Sequence, residues 1–293
     1  MNVSLRISRE TIKSFCIHCL RMIQNVKWYV QFYLAKCIRL YPRSLTKLRI
    51  EEKDKILILV PHADDEWIGP YAIVKQKFEN LTCVYFNLFG NDYSEANICR
   101  RNAELIESKK FWGYRLVNNC NYDIDSLSEM LKNSDVCFLP SPYDWHEEHR
   151  KVFKTFVKAY RNLPQDDKKR LNVYYYSVSV PHSTNENLSY VSLSKKDLDD
   201  KWAVFKYIYH SQDFMPSLRY KLQLRLIPTS IGYAAQTFVK VDDSRLNEDE
   251  LLLDAEAASS KLAKLQEYIN NIVAVRLMVD KVKYKRDAHI KKG

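Results

Sequence analysis

The chain has 293 residues, 46% hydrophobic and 13% aromatic, which excludes intrinsic disorder because disordered chains lack the apolar side chains that offset ordering entropy. Its net charge of +10 sits at the ends: residues 1–49 hold ten Lys or Arg against one Glu, and residues 281–293 hold six against one Asp, so the segment between is net −4. Seven cysteines, odd in number and irregularly spaced, exclude a disulfide scaffold and point to a reducing, cytoplasmic compartment.

In residues 9–41, Ile12, Phe15, Cys19, Leu20, Ile23, Val26, Val30, Tyr33, Leu34, Cys37 and Ile38 recur at three- and four-residue spacing, interrupted by Arg21, Lys27, Lys36 and Arg39. This predicts one or two basic amphipathic helices. They are too interrupted to span a bilayer, and they lack the continuous apolar core of a signal peptide. Such a helix can lie peripherally on an anionic membrane surface at the inner face. The favoured reading is that it packs on the rest of the chain or on a second subunit of a homo-oligomer. Residues 1–49 are thus expected to form a basic helical extension, and residues 50–293 the main domain. Cys16-Ile17-His18-Cys19 has no second ligand pair nearby and reads as packing.

Residues 56–60, Ile-Leu-Ile-Leu-Val, are unbroken apolar sequence, the pattern of a strand buried on both faces of a parallel sheet. Pro61 ends it, since proline has no N–H for the ladder. His62, Ala63, Asp64, Asp65 and Glu66 follow at the strand's carboxyl end, where open α/β sheets place their ligands. One imidazole with one carboxylate suits Zn²⁺ or another divalent metal, and a catalytic site needs a third protein ligand. Residues 136–149 supply it in a similar arrangement, a short apolar strand and two prolines followed by His146 and His149.

Between these segments, Trp67 to Phe78 reads as a helix, Leu81 to Phe89 as a strand, and Gly90-Asn91-Asp92 as a turn beside the site. Ser94 is an N-cap-type residue heading a helix on which Arg101 and Glu104 share a face. Leu116-Val117 suggests a short strand, Ile124 to Leu131 a helix, and Val136 to Leu139 the strand carrying the second histidine pair. A helix over residues 148–161 follows, with Val152, Phe153, Phe156, Val157 and Tyr160 on one side. Val173 to Val180 reads as a strand with His182 just beyond it, Asp197 to Phe205 as a helix leading to His210-Ser211-Gln212, and Tyr233 to Val241 as a late strand. Asp249 to Lys281 predicts one or two amphipathic helices outside the core. The alternation predicts an α/β fold, a Rossmann-like, mostly parallel sheet with helices on both faces. Cys83 and Cys137 fall inside apolar runs and read as core residues.

At these residues the sequence resembles the LmbE/PIG-L-like N-acetylglucosaminyl deacetylases, whose members share a strand followed by His-Pro-Asp-Asp-Glu and a later His-x-Asp-His segment. Here the first reads His62-Ala63-Asp64-Asp65-Glu66 and the second His146-Glu147-Glu148-His149. Arg101-Asn-Ala-Glu104 looks like the family's Arg-x-x-Glu helix. Lys201-Trp-Ala203 with His210-Ser211-Gln212 looks like its Lys-x-Ala and His-x-Ser-Gln helix. The resemblance covers roughly residues 50 to 240, and four landmarks in order are far more specific than any one alone.

The resemblance implies that residues 50–293 form a zinc-dependent deacetylase domain acting on an N-acetylated sugar or glycoconjugate. His62, Asp65 and His149 would hold the metal, Asp64 would act as general base, and His146 would stabilise the oxyanion as an imidazolium. Arg101 would face the substrate with Glu104 as its support. Glu66 and Glu148 would orient metal ligands or catalytic histidines from behind. Glu148 is one methylene longer than the family's Asp. The motif segments hold few Lys or Arg, which excludes a nucleic-acid substrate. A phosphoester hydrolase, which usually needs a second metal, and a non-catalytic glycan- or membrane-binding module are the alternatives.

Overall fold

The computed structural model describes residues 9–88, 93–254 and 261–290. Its centre is an eight-stranded sheet: β1 (Ser44–Lys47), β2 (Ile56–Val60), β3 (Leu81–Tyr85), β4 (Arg115–Asn118), β5 (Val136–Pro140), β6 (Asn172–Tyr176), β7 (Asn187–Leu193) and β8 (Ala234–Val241). The spatial order is β1-β7-β8-β6-β5-β2-β3-β4. Only β8 pairs antiparallel, against β6 and β7, so seven strands point one way. This is the expected α/β, Rossmann-like architecture.

The middle strand β2 is buried along its whole length, and its side chains divide between two layers. Ile56, Ile58 and Val60 pack on one face with Trp67, Leu198, Trp202 and Phe205. Leu57 and Leu59 pack on the other with Leu127, Leu131, Val152 and Phe156. The layers bring in α5 (Ile124–Lys132) and α6 (Glu147–Arg161) on one side and α8 (Lys195–Ile208) on the other. Cys83 and Cys137 are buried in these layers, as expected.

The chain leaves β2 toward β3 on one side, while β5 returns to pair on the other, with Ile56 opposite Val136 and Ile58 opposite Phe138. The ends of β2 and β5 therefore meet at the sheet's switch point, the place where open α/β sheets hold their ligands.

Several elements depart from expectation for local reasons. Trp67 to Phe78 is not one helix but two single turns, α2 (Asp65–Ile68) and α3 (Tyr71–Val74). Pro70 bars the helical conformation from the residue before it. Gly69 packs so tightly on Tyr176 that an added Cβ would lie 2.3 Å from the ring. β3 stops at Tyr85 because Asn87 takes a positive φ of 51°, although Phe86 and Leu88 still donate to Val60 and Pro61 at 3.0 Å. The expected turn at residues 90–92 lies outside the described residues. β6 ends at Tyr176 rather than Val180: Tyr176 O accepts from Ser141 N at 2.8 Å, and Ser179 N turns to the Asp144 carboxylate at 3.2 Å.

Sequence reading passed over β1 and β7, which lie at the sheet's exposed margin and mix polar with apolar residues. β1 falls in the segment expected to be extension, yet it pairs with β7 from Ser44 opposite Asn187 to Lys47 opposite Tyr190. The N-terminal helix α1 (Arg9–Cys37) docks through Trp28, Phe32 and Ala35 on Leu222, Leu226 and Ile272. No helix among the described residues is long and apolar enough to cross a membrane. After α7 (Gln165–Arg170) and α9 (Ser217–Leu224), the C-terminal part forms α10 (Asp243–Asp254) and α11 (Ile272–Ile290).

Beneath α2, Lys201 of α8 is fully buried and its Nζ donates to Ile68 O at 2.9 Å, while Trp67 Nε1 donates to Lys201 O at 2.9 Å. Burial away from any carboxylate lowers the Lys201 pKa to about 7. Unfolding returns the amine to its ordinary value of roughly 10.4, so between those two values the unfolded chain takes up a proton that the folded one does not. Stability should therefore rise with pH through this window. Relative to Lys201→Met, the wild type should gain about 2 kcal/mol in urea denaturation between roughly pH 7 and 9. Parallel pH profiles for the two proteins would sink this account of the buried amine.

Candidate metal centre

The loop after β2 turns back on itself through Asp64, which holds a φ of 111° that a side-chain-bearing residue rarely adopts. Three contacts hold the turn. The Asp65 carboxylate accepts from His62 N at 2.9 Å, Glu66 accepts from Asp64 N at 3.1 Å, and the Arg101 guanidinium donates to Ala63 O. The reversal sets Asp64, Asp65 and Glu66 in the interior, where each meets different partners.

Asp65 faces two histidines. Its Oδ2 lies 3.1 Å from His62 Nδ1 and 3.4 Å from His149 Nε2. His62, Asp65 and His149 each present a ligand atom, all within 4.8 Å of one another, the one such group of three among the described residues. A tetrahedral ion with bonds near 2.0 Å spaces its ligand atoms roughly 3.3 Å apart. The donor set therefore fits a divalent cation after small side-chain adjustment.

His149 gives the stronger indication. It is wholly buried in the first turns of α6, yet neither ring nitrogen has a hydrogen-bond partner of good geometry. Buried polar atoms rarely go unsatisfied, and an ion on Nε2 would satisfy the side that faces Asp65. Burial alone would lower its pKa, but Asp65 and Asp144 outweigh that and hold it near 10. A cation at Nε2 must therefore displace a firmly held proton.

Asp144 was not anticipated. It is buried below the second histidine pair, its Oδ2 lies 3.5 Å from His149 Nδ1, and its Oδ1 accepts from His146 N at 3.2 Å. Burial would raise its pKa, yet the adjacent His149 brings it down to about 2. An ionised carboxylate behind the non-ligating nitrogen is the usual device for orienting a metal-binding histidine. The signal was present as an Asp two residues before His146. Glu148, expected in this part, is instead half-buried. Burial would raise its pKa, and its own backbone N–H with the fields of His62 and His146 lowers it.

Asp64 sits beside this trio and pairs through Oδ2 with Arg101 Nη2 at 2.9 Å. Burial pushes its pKa well above the carboxylate range, with Asp65 and Glu66 adding to the rise and Arg101 opposing it. Arg101 was expected to face substrate. It is instead only 4% exposed and committed to Asp64 and the Ala63 carbonyl, because the reversed loop needs an internal cation. Glu104, one turn further along α4 (Glu95–Trp112), accepts from Ser211 N at 2.9 Å and Ser211 Oγ at 2.6 Å. It ties α4 to the His210–Gln212 turn, and the exposed His210 brings its Nδ1 to 3.4 Å from it.

Glu66 is fully buried and accepts from Ser108 Oγ at 2.8 Å and from the Tyr209 hydroxyl. Burial raises its pKa and these hydroxyls oppose the rise. It lies behind the loop, held against α4 and the end of α8. His146 lies across the site, with ring centroids 5.5 Å from His62 and 4.9 Å from His149, and stacks on Trp145 at 3.6 Å. Burial drives its pKa down to about 4 although Asp144 opposes this, a shift toward the uncharged imidazole where the sequence suggested an imidazolium. His182 is buried elsewhere, in a cavity of about 40 Å³ that it lines with Lys201 and Arg276.

No family model and no curated protein matches the chain. Solved structures of similar fold include the conserved protein TT1542 from Thermus thermophilus, with 16% identity, a TM-score of 0.48, and 64% of this chain aligned to 94% of that one. The zinc-inhibited form of teicoplanin deacetylase Orf2 follows at 12% identity and a TM-score of 0.47, covering 64% of this chain and 99% of that one. GalB, the 4-carboxy-2-hydroxymuconate hydratase from Pseudomonas putida KT2440, stands at 13% and 0.43, covering 64% and 96%. With TM-scores below 0.5 and identities of 12–16%, these neighbours carry no argument about this chain.

His149→Ala should abolish stoichiometric binding of a divalent metal, measured by elemental analysis and zinc titration. Asp144→Asn should weaken binding by about 10- to 100-fold, whereas Glu148→Gln should leave it within about threefold. The reverse ranking of the last two would show that Glu148, not Asp144, supports His149.

Proposed function

We propose that the chain is a metal-dependent amide hydrolase that removes the N-acetyl group from an N-acetylglucosamine-type sugar or glycoconjugate, giving acetate and a free amine. The observation that carries this reading is the convergence of His62, Asp65 and His149 beside a buried carboxyl, Asp64, that holds a raised pKa. Two histidines and one carboxylate are a donor set suited to zinc. A cation there supplies Lewis acidity, acidifying water and polarising the amide carbonyl.

The remaining steps belong to the chain's own residues. Arg101 occupies Oδ2 of Asp64 and leaves Oδ1 to receive a proton from the attacking water. A carboxyl with a raised pKa is a stronger base than an exposed one, and once protonated it can return the proton to the leaving nitrogen. The C–N bond then breaks to release the amine, and the water oxygen stays in acetate. His146, uncharged, donates its ring N–H to the carbonyl oxygen as negative charge develops there. His62 keeps 15% of its side chain exposed, so substrate approaches from the His62 and His146 side.

A phosphoester hydrolase is the weaker reading, since two-metal chemistry needs a second ligand cluster and the described residues hold one. The family resemblance supplies the sugar, and the site's chemistry supplies the amide hydrolysis. Asp64→Asn should retain metal at the wild-type stoichiometry while acetate release from N-acetylated glycoconjugates falls about 10²- to 10⁴-fold. A wild-type protein that binds metal yet releases no acetate from any N-acetylhexosamine substrate would favour a binding module instead.

A further inference from the structure

The helix α1 has two apolar faces, and only one is accounted for. The inner face, Trp28, Gln31, Phe32 and Ala35, follows the helical spacing of three and four and is buried. Trp28 Nε1 donates to Asn270 O at 3.1 Å, Gln31 Oε1 accepts from Ile272 N at 3.1 Å, and Lys36 Nζ donates to Ile227 O at 2.6 Å. These contacts fix the rotation of the helix about its axis.

The opposite face is therefore held outward. Phe15, Ile23, Val26, Val30 and Tyr33 are 61–67% exposed. They recur at three- to eight-residue intervals on the side away from the docked stripe and run about 27 Å along the axis at 1.5 Å per residue. No charged residue interrupts this strip. Solvated helices normally turn polar side chains outward, so a continuous apolar outer face marks a contact surface.

Charge indicates what the surface contacts. No Asp or Glu occurs from residue 11 to residue 50, while Lys27 is exposed beside the strip and Lys13, Arg39, Arg43, Lys47 and Arg49 are exposed beyond its ends. A second copy of the same helix would set like charges against one another. An anionic lipid surface would accept both the apolar strip and the basic flanks.

We propose that α1 lies in the headgroup region of an anionic membrane, with Phe15, Ile23, Val26, Val30 and Tyr33 immersed and the flanking Lys and Arg at the phosphates. The docked inner face then holds the catalytic sheet against the bilayer surface. The proposal stands apart from the hydrolytic reading, because neither the metal nor the reaction enters its test.

Full-length protein is floated with phosphatidylcholine vesicles, with and without about 30% phosphatidylserine. The expected result is at least tenfold greater recovery with the anionic vesicles, falling as salt is raised. The Val26→Asp/Val30→Asp variant alters only exposed positions, so it should keep its fold by circular dichroism and lose at least tenfold of the binding. Wild-type protein that stays unbound overturns the proposal, as does a folded double variant that binds equally well. A salt-resistant dimer in sedimentation that the double variant dissolves, without vesicle binding, would assign the face to a second copy.

Discussion

Three consecutive carboxylates, Asp64, Asp65 and Glu66, are buried at the end of a central strand, and the site is organised around the cost of that burial. Removing a carboxylate from water costs several kcal/mol unless a partner compensates. Each carboxylate meets the cost differently. Asp65 has His62 and His149, Asp64 has Arg101, and Glu66 has the hydroxyls of Ser108 and Tyr209. Those partners come from α4, α6 and the end of α8, so the requirement for compensation pulls three distant segments onto one loop.

This division also separates the chemical tasks. Asp65 lies between two imidazoles and its pKa falls well below the usual range: burial would raise it, but His149 and His62 outweigh that. It is thus held as a carboxylate between the two rings. Asp64, one residue earlier, is pushed the other way by the same burial because a single guanidinium offsets it less. Adjacent carboxylates with opposed shifts are the pattern expected where one holds charge and the other moves protons. The strained backbone at Asp64 is what points the two side chains apart, and Arg101 holds that strain in place through the Ala63 carbonyl.

The elements legible in the sequence were those whose pattern is complete within a few residues. β2 and β5 are apolar runs of five, β8 begins one residue from its expected start, and the α6 face announces itself by its period. The cluster of His62, Asp65 and His149 was legible too, because each of them follows such a run. What escaped depends on partners far along the chain. Arg101 looked like a substrate group until the loop 38 residues earlier folded over it. Asp144 carries no pattern of its own, because its partner His149 lies on the helix that follows. β1 and β7 are half-exposed margin strands with no apolar run to betray them, and the split between α2 and α3 required Tyr176 to be seen against Gly69.

The N-terminal segment follows from the same logic. A helix with apolar residues on both faces cannot satisfy both by folding, since one side of a cylinder is always turned away from the core. Trp28, Phe32 and Ala35 commit the inner side to Leu222, Leu226 and Ile272, and β1 then ties the chain to the sheet margin through β7. A rigidly attached helix transmits its orientation to everything it is packed on. Whatever covers the outer face of α1 therefore also sets the attitude of the sheet whose central strand ends carry His62 and His149.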